Sequence, residues 1–184
     1  TPKSPPKSAQ TRTENSSGLT KSATSVVPIL SHVDAQGQAQ MVDVGAKKVT
    51  DRVAVARGTV SMKPETLNLI HQGRIQKGEV LAVARVAGIN AAKHTWELIP
   101  LCHQIPLSHV GLDLESDPST SATSITATVR ATASTGVEME ALTAVAVAGL
   151  TIYDMCKSVD RGIQINDVRL VRKSGGHSSN ISIE

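Results

Sequence analysis

The chain has 184 residues, 40% of them apolar but only 1% aromatic (Trp96, Tyr153 and no Phe). That length suits one domain with a tail, and its core must come from Val, Ile, Leu and Ala. The scarcity of rings argues against a stacking platform for single-stranded nucleic acid. The net charge of +3 resides in residues 1–24, where Lys3, Lys7, Arg12 and Lys21 face only Glu14, so the rest is neutral and lacks the basic footprint of a nucleic-acid binder.

Residues 1–24 hold ten Ser or Thr, three Pro and a single large apolar side chain, Leu19. Such a stretch cannot bury enough surface to offset its ordering entropy. Residues 1–25 are therefore read as a disordered Ser/Thr/Pro-rich tail, and 26–184 as a single domain. Cys102 and Cys156 form no disulfide framework and no CxxC pair. No signal-like apolar region opens the chain. The uncharged apolar run from Ala141 to Tyr153 is too short to span a bilayer, which takes about 20 residues. A reducing, cytoplasmic compartment is expected, without membrane partners.

In chain order, Ala39–Val44 and Arg52–Met62 read as strands. Val53 and Val55 share one phase and Val60 and Met62 the other, so a bulge is expected at Gly58. Pro64 suits a helix start and Gly73 a helix stop. A second helix is expected over Glu79–Glu97, rich in Ala and Val, ended by Pro100. Leu101–Ile105 is then a short segment held between Pro100 and Pro106. Leu107–Glu115 and Ser124–Thr132 read as strands joined through Asp117-Pro118-Ser119; the second alternates Ile125, Ala127, Val129 and Ala131 against Thr126, Thr128 and Arg130. A long helix is expected over Val137–Val159, with Leu142, Val145, Gly149, Ile152 and Cys156 as its stripe and apolar residues on the other sides too. Ile163–Arg172 reads as a strand with a phase slip at Asn166-Asp167, followed by a flexible Lys173–His177 end. The order ββααββαβ gives an α+β class: a ferredoxin-like βαββαβ unit with an antiparallel sheet, an added N-terminal strand and an extra helix.

Several residues carry chemistry. Cys102 and His103 stand side by side in the proline-held segment; a buried thiol beside a solvated imidazole is the plain alternative. His94, Cys102, His103 and His109 lack standard zinc spacing, so no metal and no cofactor is expected. Glu138 and Glu140 begin the long helix, where carboxylates favour the macrodipole. They lie ~200° apart around the axis, so at least one should face a partner or ligand. Asp154 and Lys157 share a face at the helix end: a surface ion pair, or an acid–base couple with a Lys whose pKa burial could lower. Lys77 precedes a helix N-terminus, where a cation opposes the dipole unless an anion lies between them; a phosphate site and a solvated Lys both fit. Glu140 and Asp154 share a helix face but are separated by ~21 Å along the axis. If both ends are functional, a second copy packed about a two-fold axis must complete the site.

The segments LIPLCHQIPLSHV, TGVEMEALTAVAVAGLTIYDMCKSV and VRLVRKSGG, with MVDV and KGEVLAVARVAGINAAK before them, resemble the cyclic pyranopterin monophosphate synthase family, accessory proteins of molybdenum cofactor biosynthesis. The resemblance runs from about Leu30 to Gly176. It implies a ferredoxin-like phosphorus–oxygen lyase, assembled as a homohexamer (a trimer of dimers) with sites at the dimer interface. The implied reaction converts (8S)-3′,8-cyclo-7,8-dihydroguanosine 5′-triphosphate to cyclic pyranopterin monophosphate and diphosphate. The implied catalytic residues are Asp154, Lys157 and Lys77. The implied substrate contacts are Leu101, Cys102, His103, Met139 and Glu140, with Glu138 and Lys173 at further motif positions. His177 departs from the Lys or Arg of several members, and Gln104 from a common Pro. A non-catalytic nucleotide-binding module and a Cys/His metalloenzyme are the competing classes.

Overall fold

The computed structural model describes residues 1, 2, 33, 34, 36–176 and 180–183. The chain divides into two units, Thr1–Leu30 and Ser31–Glu184, and the second carries every element described below. The tail expectation for residues 1–25 falls outside the described residues except at Thr1 and Pro2.

Among the described residues nine elements follow in order: β1 (Thr50–Ser61), α1 (Pro64–His71), α2 (Val80–Lys93), α3 (Thr95–Leu98), β2 (Leu107–Asp117), β3 (Ala122–Ala133), α4 (Glu138–Cys156), β4 (Gln164–Ser174) and β5 (Ile181–Ser182). The sheet order is β2-β3-β1-β4-β5, with every pairing antiparallel. The first four strands and their crossover helices make the expected ferredoxin-like unit. The added strand, however, lies at the C-terminal side, as β5 on β4. Ala39–Val44 is not a strand: Ala39 makes one isolated bridge to Val33, and residues 40–44 are irregular. The edge strands of the sheet are β2 and β5, and residues 40–44 pair with neither.

The helices cover one sheet face. Ala54, Ala56, Gly58 and Val60 of β1 and Ile125, Ala127, Val129 and Ala131 of β3 point into it, all buried. Thus β1 keeps a single phase through Gly58, and β3 pairs with it without a break. The expected bulge is instead on β4: register shifts opposite Arg57–Thr59, where Asp167 has φ 53°. That agrees with the slip expected at Asn166-Asp167. Small residues on β1 let α4 sit close. A Cβ at Gly58 would fall 2.7 Å from Val145 Cγ1.

α4 packs between the sheet and α2. Ala144, Val145, Ala148, Gly149, Ile152 and Cys156 are buried. By length and composition α4 could cross a membrane, contrary to the expectation from its uncharged run, but half of its apolar window is buried in the fold. At Gly88 of α2 a Cβ would collide with Leu112 and with the Ala144 carbonyl, so glycine sets the α2–α4 distance. The core is aliphatic, as composition requires. Leu67, Ile125, Ile152 and Val60 are among its largest fully buried side chains, while Trp96 is 37% exposed.

Turns and ends follow local chemistry. Gly73, at φ 63°, closes α1: Gly73 N–H bonds the Ile70 carbonyl and Arg74 N–H that of Leu69, a Schellman end. The Asp117 carboxylate accepts from Ser119 N–H at 2.8 Å and from the Ser119 hydroxyl at 2.6 Å, making the expected turn. The expected 79–97 helix breaks at His94 into α2 and α3. Lys173 and Ser174, expected in a flexible end, belong to β4; His177 lies outside the described residues.

Candidate active site

The proline-held loop and the first turn of α4 meet around a cavity of about 600 Å³. Leu101, Cys102 and His103 enter from the loop, Glu138, Met139 and Glu140 from α4, and Val42, Val44 and Lys47 from the irregular segment before β1. All the residues expected to touch substrate therefore line one space. A bond from Cys102 N–H to the Ile99 carbonyl, 3.0 Å long, turns the loop inward.

The two carboxylates of the α4 start serve different ends, as their angular separation requires. Glu138 accepts from Lys173 Nζ at 2.7 Å, both half-buried. Its carboxylate folds back over Gly136, where a Cβ would collide with it. Glu140 is 4% exposed. Burial, with a smaller push from Glu138, raises its pKa to about 7, so a large share of it is protonated at neutral pH. Burial first, then Glu140, push the Cys102 thiol up. Cys102 is thus a neutral wall group, not a thiolate nucleophile.

One clamp escaped sequence reasoning. The Arg52 guanidinium donates to the carbonyls of Ala133, Ser134 and Gly175, each at 3.1 Å. It ties the segment entering α4 to the end of β4, and so sets Glu138 against Lys173. Gly175 and Gly176 have φ of 97° and 84°, and side chains there would collide with Asp51 and Arg52. The Gly-Gly pair after Lys173 is the sequence signal for it.

The second cluster lies at the other end of α4. Asp154 is bridged by two lysines, Lys77 Nζ at 2.7 Å from Oδ2 and Lys157 Nζ at 2.7 Å from Oδ1. Lys77 also donates to the Asp154 carbonyl at 2.9 Å. Gly78, at φ 99°, turns the chain after Lys77 into α2. The Lys77 charge thus meets the negative end of α4 rather than opposing α2. Lys157, then Lys77, hold the Asp154 carboxyl down to about 2. Asp154 in turn raises the Lys157 pKa. The expected lowering by burial is outweighed by Asp154, because the Lys157 side chain is half-exposed. The cluster is a cationic pair around an ionised carboxylate, suited to gripping phosphate and to proton transfer once an anion draws the lysines away.

Neighbouring groups are structural. Burial pushes the Cys156 thiol up to about 11. Asp160, 2% exposed, accepts from Lys63 N–H, Gly162 N–H and the Thr66 hydroxyl, fixing the start of α1. Among the described residues no three His, Cys, Asp or Glu side chains gather at metal-binding distance.

The site residues therefore sort into two groups, a cavity at the start of α4 and a Lys-Asp-Lys cluster at its end, ~21 Å apart by helix rise. The MoaC family profile matches residues 41–176, which span both. The chain belongs to the MoaC family. A cyclic pyranopterin monophosphate synthase of Chloroflexus aurantiacus is 62% identical over 149 residues, 81% of this chain and 91% of the relative. Proteins of the same name are 58% identical over 155 residues in Dinoroseobacter shibae (84% and 98% covered) and 62% identical over 149 residues in Pelotomaculum thermopropionicum (81% and 88%). The resemblance expected from the sequence holds, and with it a lyase of molybdenum cofactor biosynthesis.

Proposed function

We propose that this chain is a cyclic pyranopterin monophosphate synthase whose active site is built by two copies. The reaction is the conversion of (8S)-3′,8-cyclo-7,8-dihydroguanosine 5′-triphosphate to cyclic pyranopterin monophosphate and diphosphate. The observation that carries the reading is the separation of the site residues into two groups at opposite ends of one helix. A single substrate of nucleotide size reaches only one end. Two-fold packing that sets the start of α4 in one copy beside its end in the next completes the site.

In that assembly the cavity holds the base and sugar, with Leu101, Met139 and the neutral Cys102 as apolar walls and Glu140 and His103 as polar ones. Lys77 and Lys157 meet the triphosphate and stabilise the charge that develops on departing diphosphate. As the phosphates take over the lysines, Asp154 loses the partners that hold it ionised and becomes basic enough to accept a proton. Lys157 beside it supplies one. No step requires a cofactor or metal.

Apolar side chains left exposed on the helix layer, Val83 and Val86 of α2 and Leu150 of α4, support further association, and a trimer of dimers accommodates both kinds of contact. Free Cys102 and Cys156 support a reducing, cytoplasmic setting, and the neutral domain argues against nucleic acid. Incubation with the cyclised triphosphate tests the reading: the pyranopterin product and one equivalent of diphosphate are expected, and binding without product would leave only a nucleotide-binding module.

A further inference from the structure

The site residues expected from the sequence leave one wall of the cavity unassigned. Residues 40–49 form no strand or helix, yet Val42, Val44 and Lys47 line the cavity. Val42 and Val44 are half-buried, while Met41, Asp43, Gly45 and Ala46 between and beyond them are exposed. The segment holds its own shape. Asp43 Oδ1 accepts from Gly45 N–H at 2.8 Å, and the Val44 carbonyl accepts from Lys47 N–H at 3.0 Å. These bonds fix Lys47 relative to Val42 and Val44.

Among the described residues, one hydrogen bond ties this segment to the rest of the fold. His103 Nε2 lies 2.8 Å from the Val42 carbonyl oxygen. A carbonyl can only accept, so Nε2 carries the hydrogen and donates it. That ring nitrogen is committed to the segment and not to substrate.

Charge says what the segment delivers. Glu138 is already paired with Lys173, and Glu140 is buried. Among the described residues Lys47 has no carboxylate within ion-pair distance. It is the uncompensated cation of the cavity wall.

We infer that residues 41–47 are a strap across the substrate cavity, that His103 is the positioning residue holding the strap through the Val42 carbonyl, and that the strap brings Lys47 to a phosphate oxygen of the bound nucleotide. The inference rests on the cavity being the substrate site, and it gives His103 a role through the strap rather than in proton transfer.

The test uses the full chain and the variants His103→Asn, His103→Gln and Lys47→Gln. Gln can place its amide nitrogen near the position of Nε2, whereas Asn is too short. Trypsin cutting after Lys47 and Lys48 reads the strap without reference to activity. His103→Asn is expected to speed that cleavage about tenfold with an unchanged melting temperature, His103→Gln to restore the slow rate, and inorganic diphosphate to slow cleavage of the wild type. In turnover, Lys47→Gln and His103→Asn should each raise KM about tenfold while kcat changes less than about threefold. Lys47→Gln alters an exposed residue and keeps the test open if a His103 variant fails to fold. Cleavage of His103→Asn at the wild-type rate would overturn the strap. A kcat loss shared by His103→Asn and His103→Gln would make His103 an acid or base instead. An unprotected wild type, or an unchanged KM in Lys47→Gln, would remove Lys47 from the phosphate. A wild type without turnover would defeat the proposed function alone, since the proteolysis still decides the strap.

Discussion

The Nζ of Lys77 lies 2.7 Å from the Asp154 carboxylate, although 77 positions separate them in the chain. The contact joins the loop before α2 to the last turn of α4, so two elements of the helix layer carry one cationic site. Lys157, a helical turn beyond Asp154, contributes the same distance from its own side.

Because these three side chains are half-exposed, their ion pairs add little to stability. Asp154→Ala, Lys157→Ala and Lys77→Ala are each expected to lower kcat by about two to four orders of magnitude. The melting temperature should stay within a few degrees of wild type. Steady-state turnover and thermal melts on the same preparations check this. A variant with full turnover would remove that residue from the chemistry.

Glu140 makes a different prediction, through pH. Its folded pKa, about 7, lies above the unfolded value of about 4.3. The unfolded chain therefore ionises first, and stability falls as pH rises from about 4 to about 7, then levels. Removing the charge should stabilise the protein on the alkaline side only. Glu140→Gln is expected to gain up to about 3 kcal/mol over wild type at pH 8 and almost nothing at pH 4. Denaturant melts at the two pH values read the difference. An equal effect at both would mean that burial is not perturbing this carboxyl.

Asp160 has the opposite sign. Its hydrogen bonds, chiefly from Lys63 N–H, hold its pKa below the ordinary carboxylate value. The stability it contributes is present above the unfolded pKa and is lost as pH falls through the folded one. Asp160→Asn is expected to cost about 1–3 kcal/mol at neutral pH, since the amide accepts fewer of these bonds. The penalty should shrink toward pH 3. Melts across that range test it.

The strands with clean alternation, such as Ile125 to Ala131, were legible because their inner face is apolar at every second residue. The phase of β1 was misread because Val53 and Val55 lie on the outer face, while the small Ala54 and Ala56 form the inner one beneath α4. Ala39–Val44 has a strand-like composition but joins neither edge strand of the sheet; its valines line the cavity instead. Asp154 and Lys157 could be linked by helical spacing, and Lys77 only through resemblance. The Arg52 clamp was not legible, because the Gly175-Gly176 pair marks a tight approach without naming its partner, which lies 123 residues away. The low pKa of Asp154 and the high one of Glu140 depend on tertiary neighbours and on burial, which no spacing rule supplies.

The central claim, that each site takes one end of α4 from each of two chains, is tested most directly by mixing two inactive variants. Asp154→Ala disables the Lys-Asp-Lys end and leaves the cavity intact. Glu140→Ala, if it proves inactive alone, disables the cavity and leaves the other end intact. Unfolded together and reassembled in equal amounts, random two-fold pairing places both changes in one site of each mixed dimer and leaves its other site whole. About a quarter of wild-type activity should return. A mixture as inactive as its components, with subunit exchange verified by mass, would mean that one chain builds the whole site by itself.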